Sequence, residues 1–371
     1  MNHTRIVRLA LAALVTTGLT LAVPACSNDD SGDEGRPSST SKVTTGSAAA
    51  TALAGVVDDV VAPGYDALVG SLTAWTFEIG QLCAEPGTER LEEARDGWRA
   101  SVRAYESTVA HDIGPAMDQR LMSDLAFAPR VASIDKLLAG DDPVDAATMA
   151  DRGANVRGLY SAEHALFGDG SEQLATAAGA RRCEYLSSVA TLAEASARAV
   201  SDAWTNGSAR SELLAATGSA PEDALPQLLN AVTHAVKAVD EKGLRDMAAA
   251  DSYTDLPETR TDGPGAFGMG KRKARLAGAV AVIGEEGEGL VAIVAERSPD
   301  TARRLLAAAE AAQTAVDALP DSVAETFDSA DAAAELDAAA EAVAALKVVL
   351  ATEVASQLGV TITLSDSDGD S

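Results

Sequence analysis

The chain has 371 residues, of which 47% are hydrophobic and only 4% are aromatic. Its 29 basic and 56 acidic residues give a formal charge of −27, which argues against a nucleic-acid binder because phosphates would be repelled. The length suggests about two domains, and the abundance of Ala and Leu favours helices.

The first 26 residues have the organisation of an export signal. Arg5 and Arg8 precede the apolar run LALAALVTTGLTLAV, which is too short for a typical membrane span. The VPAC sequence at residues 23–26 resembles the lipobox of bacterial lipoproteins, in which the cysteine is lipidated. The alternative is an ordinary cleaved signal peptide with an incidental cysteine. The lipobox interpretation predicts a signal peptide over residues 1–26 and a cell-envelope protein anchored to the membrane by lipid on Cys26.

Residues 27–50 are polar, acidic and rich in Ser and Gly, which predicts a flexible acidic linker. Beyond the linker lie Cys83 and Cys183. Because an exported protein is in an oxidising compartment, we expect these two cysteines to form a disulfide. Two free buried thiols are the alternative.

The first half of the chain after the linker has the periodicity of helices. The predicted segments are Ala52–Ile79 with a break at Pro63-Gly64, Thr88–Ala110, Met117–Leu138 with an interruption at Pro129, a segment from Ala146 to Phe167, and Arg181–Trp204. Glycine and proline at the segment ends are typical of helix stops. His111 lies opposite the apolar face of its predicted helix, which predicts a solvated side chain.

The second half continues in the same way. The predicted helical or apolar segments are Leu225–Val239, Leu276–Ile283, Glu288–Ala295, Thr301–Leu319 and Asp331–Leu358, and Val360–Leu364 is a candidate extended piece. His234 is predicted to be solvated. Residues 250–271 are predicted to be irregular, and GAFGMGKR within them is interpreted as a basic loop, since Arg272 stands where a phosphate-binding loop needs Ser or Thr. These patterns predict an all-α fold of two consecutive helical bundles, over residues 51–215 and 216–371.

Glu163 is the acidic residue that most needs an explanation. Wound as a helix, residues 155–168 place Glu163 in the middle of an apolar stripe, three positions after Tyr160. The two side chains could bind a small ligand in an apolar cleft or ligate a metal ion, and His164 could reach the same place. Glu163 could instead be a structural acid, paired with an Arg from another helix or protonated by burial. General-base or metal-assisted hydrolysis is the third possibility, although the chain has no HExxH and no GxSxG motif.

Four stretches, taken together, resemble the imelysin family. They are RGLYSAEHALFG (157–168), RRCEYL (181–186) followed by Trp204, Trp98 followed by IGP (113–115), and the ending LGVTITLSDSDGDS. The first resembles the RGxxAxEyLLfg core of the family and the last its LGVTIGFNxxDGD tail. The resemblance covers about residues 50–371 in the family's order.

The resemblance implies two helical bundles related by a pseudo-repeat, with a pocket between them, in a secreted or envelope-anchored protein. The family includes insulin-cleaving peptidases and the periplasmic component of a ferrous-iron uptake system. Its GxHxxE motif, proposed to bind metal or to act in catalysis, falls on Gly158 to Glu163, with Tyr160 in place of the histidine. The second half differs too, because TDGPGAFGMGKRKARL stands where the family has a serine-rich stretch.

These observations predict an envelope-anchored binding protein that holds a metal ion or a small ligand between its bundles through Tyr160 and Glu163. An iron or other divalent or trivalent ion is the metal that the resemblance implies. The alternatives are an imelysin-type peptidase that uses Glu163 and a non-catalytic module that binds another envelope protein. The missing histidine favours the binding protein or the module over the peptidase.

Overall fold

The computed structural model describes residues 47–218, 220–250, 268–328 and 332–363. Within these ranges every regular element is a helix, which confirms the predicted all-α fold. All of these described residues fall in one compact unit. The predicted signal peptide, Cys26 and most of the linker lie outside the described residues, and the boundary between residues 215 and 216 stays a prediction. No described helix is both long enough and apolar enough to cross a membrane.

The first half of the fold contains one long hairpin of helices and a set of short ones. Its helices are α1 (Ser47–Val56), α2 (Ala62–Ala84), α3 (Thr88–Thr108), α4 (Pro115–Asp118), α5 (Leu121–Ala126), α6 (Val131–Ala139), α7 (Ala146–Ala150), α8 (Leu159–Phe167) and α9 (Ala180–Thr205). Helix α2 packs against both α3 and α9. Four large aromatic side chains, Tyr65, Trp75, Trp98 and Tyr185, are fully buried in this region, and aromatic groups of this size dominate the energetics of a core.

The second half adds nine helices within the described ranges. They are α10 (Ala209–Ala215), α11 (Ala224–Ala238), α12 (Asp246–Ala249), α13 (Gly268–Ile283), α14 (Gly289–Ala295), α15 (Pro299–Asp317), α16 (Val323–Asp328), α17 (Ala332–Val348) and α18 (Ala355–Leu358). Helix α13 packs against α11 and α15 of its own half and against α3 of the first half. It is therefore one of the helices that join the two halves, together with α14, which packs on α1.

The predicted break at Pro63 is wrong, because the chain stays helical from α1 into α2. A π-helical turn, Val57–Val61, joins the two helices, and Pro63 occupies the first turn of α2. Proline lacks an N–H and its ring crowds the carbonyl four residues earlier. The wider turn just before Pro63 accommodates this local mismatch, as inserted π-turns do elsewhere.

The predicted helix that starts at Ala146 is split in two. Helix α7 ends at Ala150, and α8 begins only at Leu159. Gly158 precedes α8 with φ +87°, and a Cβ there would lie 2.5 Å from the backbone oxygen of Asp124. Only glycine combines a positive φ with so close an approach to a neighbouring backbone. Gly158 therefore fixes where α8 starts and which way its side chains face.

The predicted disulfide is confirmed. Cys83 near the end of α2 and Cys183 near the start of α9 are bonded, with their Cα atoms 5.6 Å apart. The bond closes a loop with a sequence separation of 100 residues, and a loop of that size is stabilised by roughly 4–5 kcal/mol in the chain-entropy model. It fixes one end of the helix pair that carries the buried aromatic core.

A glycine allows α13 to lie against α3. A Cβ at Gly278 would be 2.0 Å from the backbone oxygen of Ser107, which no side chain could tolerate without moving a helix. The close approach of the two backbones places the basic side chains of α13 beside the inner face of α3. The candidate functional site lies at this junction.

Candidate functional site

Glu163 is buried at the junction between α8 and α13. Only 3% of the residue is exposed. The ammonium of Lys271 on α13 donates to both carboxylate oxygens, at 3.4 Å to Oε1 and 3.2 Å to Oε2. Sequence reasoning offered an arginine from another helix as a structural partner; the structure supplies a lysine. A buried carboxylate with a nearby cation avoids much of the cost of an isolated charge.

The position of Lys271 is fixed by two aromatic rings as well as by Glu163. Its Nζ lies 4.8 Å from the ring centroid of Tyr160 and 5.3 Å from that of Trp98. Trp98 in turn donates a 2.8 Å hydrogen bond from Nε1 to the backbone oxygen of Leu159. Cations over aromatic faces at these distances are attracted by the ring quadrupole. These contacts hold the Lys271 side chain in a defined position in the site.

A second buried carboxylate, Glu106 on α3, lies next to the first pair. Glu106 is 1% exposed. Its Oε2 accepts from Arg275, at 2.7 Å from Nε and 2.6 Å from Nη2, and its Oε1 accepts from the hydroxyl of Tyr160. Burial, together with the negative charge of Glu106, raises the pKa of Tyr160 well above its usual 10. Tyr160 therefore stays a neutral phenol that donates its proton to Glu106.

These groups form the wall of a cavity of about 650 Å³, which we call the main cavity. Its described lining residues are Glu106, Ala126, Ala128, Pro129, Val131, Tyr160, Glu163, Ala238, Val239, Lys242, Gly243, Gly268, Lys271, Arg272 and Arg275. The volume falls in the range of small-molecule sites, which combine apolar walls with a few placed polar groups. Residues from both halves of the chain contribute to the wall.

A second cavity of about 520 Å³, the side cavity, adjoins the first. The two share five lining residues, namely Ala126, Tyr160, Ala238, Lys242 and Arg275. The side cavity adds Met117, Met122 and Asp112, among other residues. Tyr160 and Arg275 therefore stand between two connected spaces.

One wall of the main cavity is a π-helical turn, Val239–Arg245, which follows α11. Asp240 within it is fully buried and accepts a 2.7 Å hydrogen bond from Arg245 Nε and a further bond from Lys347 of α17. These bonds hold the turn so that Lys242 and Gly243 face the cavity. Turns of this type inserted into helices are frequent at functional sites.

The donor set does not fit a resident metal ion. Among the described residues there is no group of three His, Cys, Asp or Glu side chains that could hold one. The carboxylate of Glu163 is directed at Lys271, and ligation by Tyr160 would require loss of the proton that it donates to Glu106. The arrangement suits a ligand with its own charged or hydrogen-bonding groups better than a bare cation.

Of the three histidines that the structure describes, only His234 lines one of the two cavities. His164 is 7% exposed, bonds to Asp135 through Nε2 at 2.6 Å, and lines neither cavity. The structure thus brings Tyr160 and Glu163 to one cavity and leaves His164 outside it. His234 lines the side cavity and its Nε2 lies 2.6 Å from the oxygen of Thr363.

The prediction that His111 is solvated is wrong. His111 is 2% exposed and lies edge-on to Tyr65, with ring centroids 5.3 Å apart. A 3₁₀ turn, Val109–His111, continues α3, and its tighter winding rotates the side chain inward relative to an α-helix. Burial lowers the pKa of His111 to about 4, so the ring is neutral at physiological pH.

Sequence reasoning missed three residues of the candidate site: Glu106, Lys271 and Arg275. Glu106 carried a usable signal, because Trp98, Val102 and Glu106 are spaced by four and so share one helix face. Lys271 belongs to the segment interpreted as a basic loop, and Arg275 follows that segment by three residues. The described part of that segment, from Gly268 onward, is helix α13, so that interpretation is wrong there; residues 265–267 lie outside the described residues.

The chain belongs to the imelysin family: the family model described as Imelysin matches residues 61–350. Two crystal structures are similar in fold. One is an imelysin-like protein from Psychrobacter arcticum 273-4, with a TM-score of 0.69 and 18% identity over 85% of this chain and 96% of that one. The other is a putative iron-regulated protein A precursor from Parabacteroides distasonis ATCC 8503, with a TM-score of 0.65 and 19% identity over 86% and 97%. No curated protein matches the sequence.

Proposed function

We propose that this imelysin-family protein is an extracytoplasmic binding protein, anchored by lipid on Cys26, that holds a small organic ligand in the main cavity. The observation that carries the proposal is the placement of Tyr160, Glu163 and Lys271 on the wall of a 650 Å³ cavity between two sets of helices. Apolar walls with a few fixed polar groups are typical of ligand sites.

The same geometry speaks against peptidase chemistry at Glu163. A general base must take a proton from water at its carboxylate, but both oxygens of Glu163 lie within 3.4 Å of the Lys271 ammonium. That contact stabilises the ionised carboxylate. A binding role requires no proton transfer and is compatible with this arrangement.

The test is a binding screen on the compact unit, residues 42–371, which contains the disulfide and the described core. Small molecules extracted from the purified protein, and a panel of organic probes, are measured by native mass spectrometry and calorimetry. We expect binding that falls at least about fivefold in Glu163→Gln and Tyr160→Phe. The first variant loses the ion pair that positions Lys271 and the second loses the hydrogen bond to Glu106, each of order 1 kcal/mol.

Matched controls separate a local effect from a general one. Tyr185→Phe removes a buried hydroxyl whose 3.0 Å bond goes to Val156, and Glu310→Gln changes an exposed carboxylate. Neither residue lines a cavity, and both variants should bind as the wild type does. Equal affinity in all five proteins would place binding elsewhere.

Titrations with ferrous, ferric and zinc ions and a peptide-hydrolysis assay address the two alternatives. Stoichiometric metal binding that Glu163→Gln abolishes would replace the organic ligand with a metal ion. Hydrolysis that persists through purification and disappears in Glu163→Gln would make the protein a peptidase.

A further inference from the structure

The charge of the main cavity is opposite to that of the chain. The whole sequence carries −27, yet the described lining of the cavity has four basic side chains, Lys242, Lys271, Arg272 and Arg275, against two acidic ones, Glu106 and Glu163. Basic groups gathered at one cleft of an acidic protein focus a positive potential there. A ligand with negative charge would gain from that potential.

The two acidic side chains neutralise only part of this positive charge, since four basic side chains face two acidic ones. Each is already bonded to a cation, Glu163 to Lys271 and Glu106 to Arg275. Arg275 uses Nε and Nη2 on Glu106, and its Nη1 donates to no residue in the described part of the chain. Since Arg275 lines both cavities, its guanidinium keeps donors for a carboxylate or phosphate oxygen.

The side cavity mixes polar and apolar side chains, with Asp112, Lys237 and Glu241 among the polar ones, whereas the remaining walls of the main cavity are apolar. In the main cavity these residues are Ala126, Ala128, Pro129, Val131, Ala238 and Val239. In the side cavity, Met117 and Met122 are 55% and 43% exposed. Methionine is flexible and polarisable and adapts to apolar ligands of different shapes. The adjoining cavities therefore offer a basic centre with apolar surface beside it, from the alanine walls to Met117 and Met122.

We propose that the ligand is an elongated organic anion, a deepening that rests on the proposed function. Its carboxylate or phosphate group binds among Arg275, Lys271 and Lys242, and its apolar body extends along the alanine walls toward Met117 and Met122. The ion pairs with Glu106 and Glu163 hold Lys271 and Arg275 in place and lower the net positive charge of the cavity lining. The charge that remains is positive, so the cavity favours a monoanion or dianion over a bare cation.

The test uses four probes with the same eight-carbon chain: octanoate, octyl phosphate, octan-1-ol and octylamine. Calorimetry on residues 42–371 should give octanoate or octyl phosphate at least about tenfold tighter binding than octan-1-ol, with octylamine the weakest. The preference should shrink in high salt, because salt screens partly exposed charges. The ratio between octanoate and octyl phosphate identifies the anionic group.

The outcomes distinguish this inference from the proposed function. Octan-1-ol or octylamine binding as tightly as the two anions would overturn the anion proposal and leave a ligand-binding cavity intact. Absence of binding by all four probes, and by the wider panel above, would overturn both.

A charge reversal on an exposed residue tests the location without threatening the fold. Lys242 is exposed at the cavity, and Lys136 is an exposed lysine on α6 that lines neither cavity. Lys242→Glu should weaken octanoate about five- to tenfold and leave octan-1-ol unchanged. Lys136→Glu, with the same change in net charge, should leave both unchanged. Equal losses in the two variants would mean that only the overall charge matters, and would overturn the assignment to the cavity.

Discussion

Glu163 and Asp112 are acidic side chains on the walls of connected cavities, but their surroundings differ. Glu163 has the ammonium of Lys271 at 3.2 Å. Asp112, just after α3, has a buried Oδ1 with no hydrogen-bond partner among the described residues, and burial raises its pKa to about 6. The contact with Lys271 stabilises the ionised form of Glu163. Burial without such a contact disfavours the ionised form of Asp112. Burial alone therefore does not define what a carboxylate does; the partner across the cavity does.

The partner of Glu163 comes from far along the chain. Lys271 is 108 residues away in sequence, and it reaches Glu163 only because α13 lies close against α3. The cavity is thus a product of the contact between the two halves. Three changes test this comparison, in decreasing order of expected effect. They remove the ammonium of Lys271, displace α13 at Gly278 and neutralise Asp112.

Removal of the Lys271 ammonium should have the largest effect. Lys271→Met keeps most of the side-chain volume but leaves the carboxylate of Glu163 without its lysine, which should cost about 3–5 kcal/mol of unfolding free energy. The double variant Lys271→Met/Glu163→Leu should recover most of that loss. Urea unfolding provides the measurement, with Lys136→Met as the exposed control. A loss in Lys271→Met as small as in the control would mean that the pair contributes nothing to the stability of the site.

Displacement of α13 should have the next largest effect. Gly278→Ala places a Cβ 2.0 Å from the Ser107 oxygen, so we expect a loss of about 2–3 kcal/mol from overpacking and weaker ligand binding. Gly70→Ala in α2 is the matched control, because a Cβ there meets nothing within 4 Å. It should stabilise the protein by about 0.5–1 kcal/mol. Thermal melts and calorimetry of both variants measure the two effects, and a neutral Gly278→Ala would refute the close packing of α3 and α13.

Neutralisation of Asp112 should have a smaller, pH-dependent effect of opposite sign. Its folded-state pKa is raised from 3.8 to about 6, so the folded protein retains the proton longer than the unfolded chain does. Wild-type stability therefore falls as pH rises from about 4 to 6. Asp112→Asn should be more stable than wild type by about 1–2 kcal/mol at pH 8 and about equal to it at pH 4.

Denaturant titrations at pH 4 and pH 8 check this prediction. Asp118→Asn alters an exposed neighbour and should shift stability by the same small amount at both pH values. If Asp112→Asn changed stability equally at both pH values, the pKa of Asp112 would not be raised by burial in the folded protein.

The long helices could be predicted from the sequence because their signals are local. Thr88–Ala110 and Arg181–Trp204 were predicted from apolar periodicity and stop signals, and the structure has Thr88–Thr108 and Ala180–Thr205. The errors lie where tertiary contacts override local preference. Pro63 sits within a continuous helical path, and Gly158 delays the start of α8 because of its contact with α5.

The site was only half predictable for a related reason. Tyr160 and Glu163 are neighbours on one helix, so their spacing revealed them. Lys271 and Arg275 are equally regular in spacing, but they follow a glycine-rich stretch that locally favours a loop. No local sequence pattern predicts that α13 packs on α3. Without that tertiary contact, neither the ion pairs nor the cavity can be inferred from the sequence.

The most direct test of the account is the position of a bound heavy atom. Crystals of residues 42–371 soaked with 8-bromooctanoate give an anomalous bromine signal that needs no prior assumption about the site. We expect one strong bromine peak within the two adjoining cavities, on the apolar side of Tyr160 and Arg275. Strong peaks confined to the outer surface, with the cavity unchanged, would contradict it.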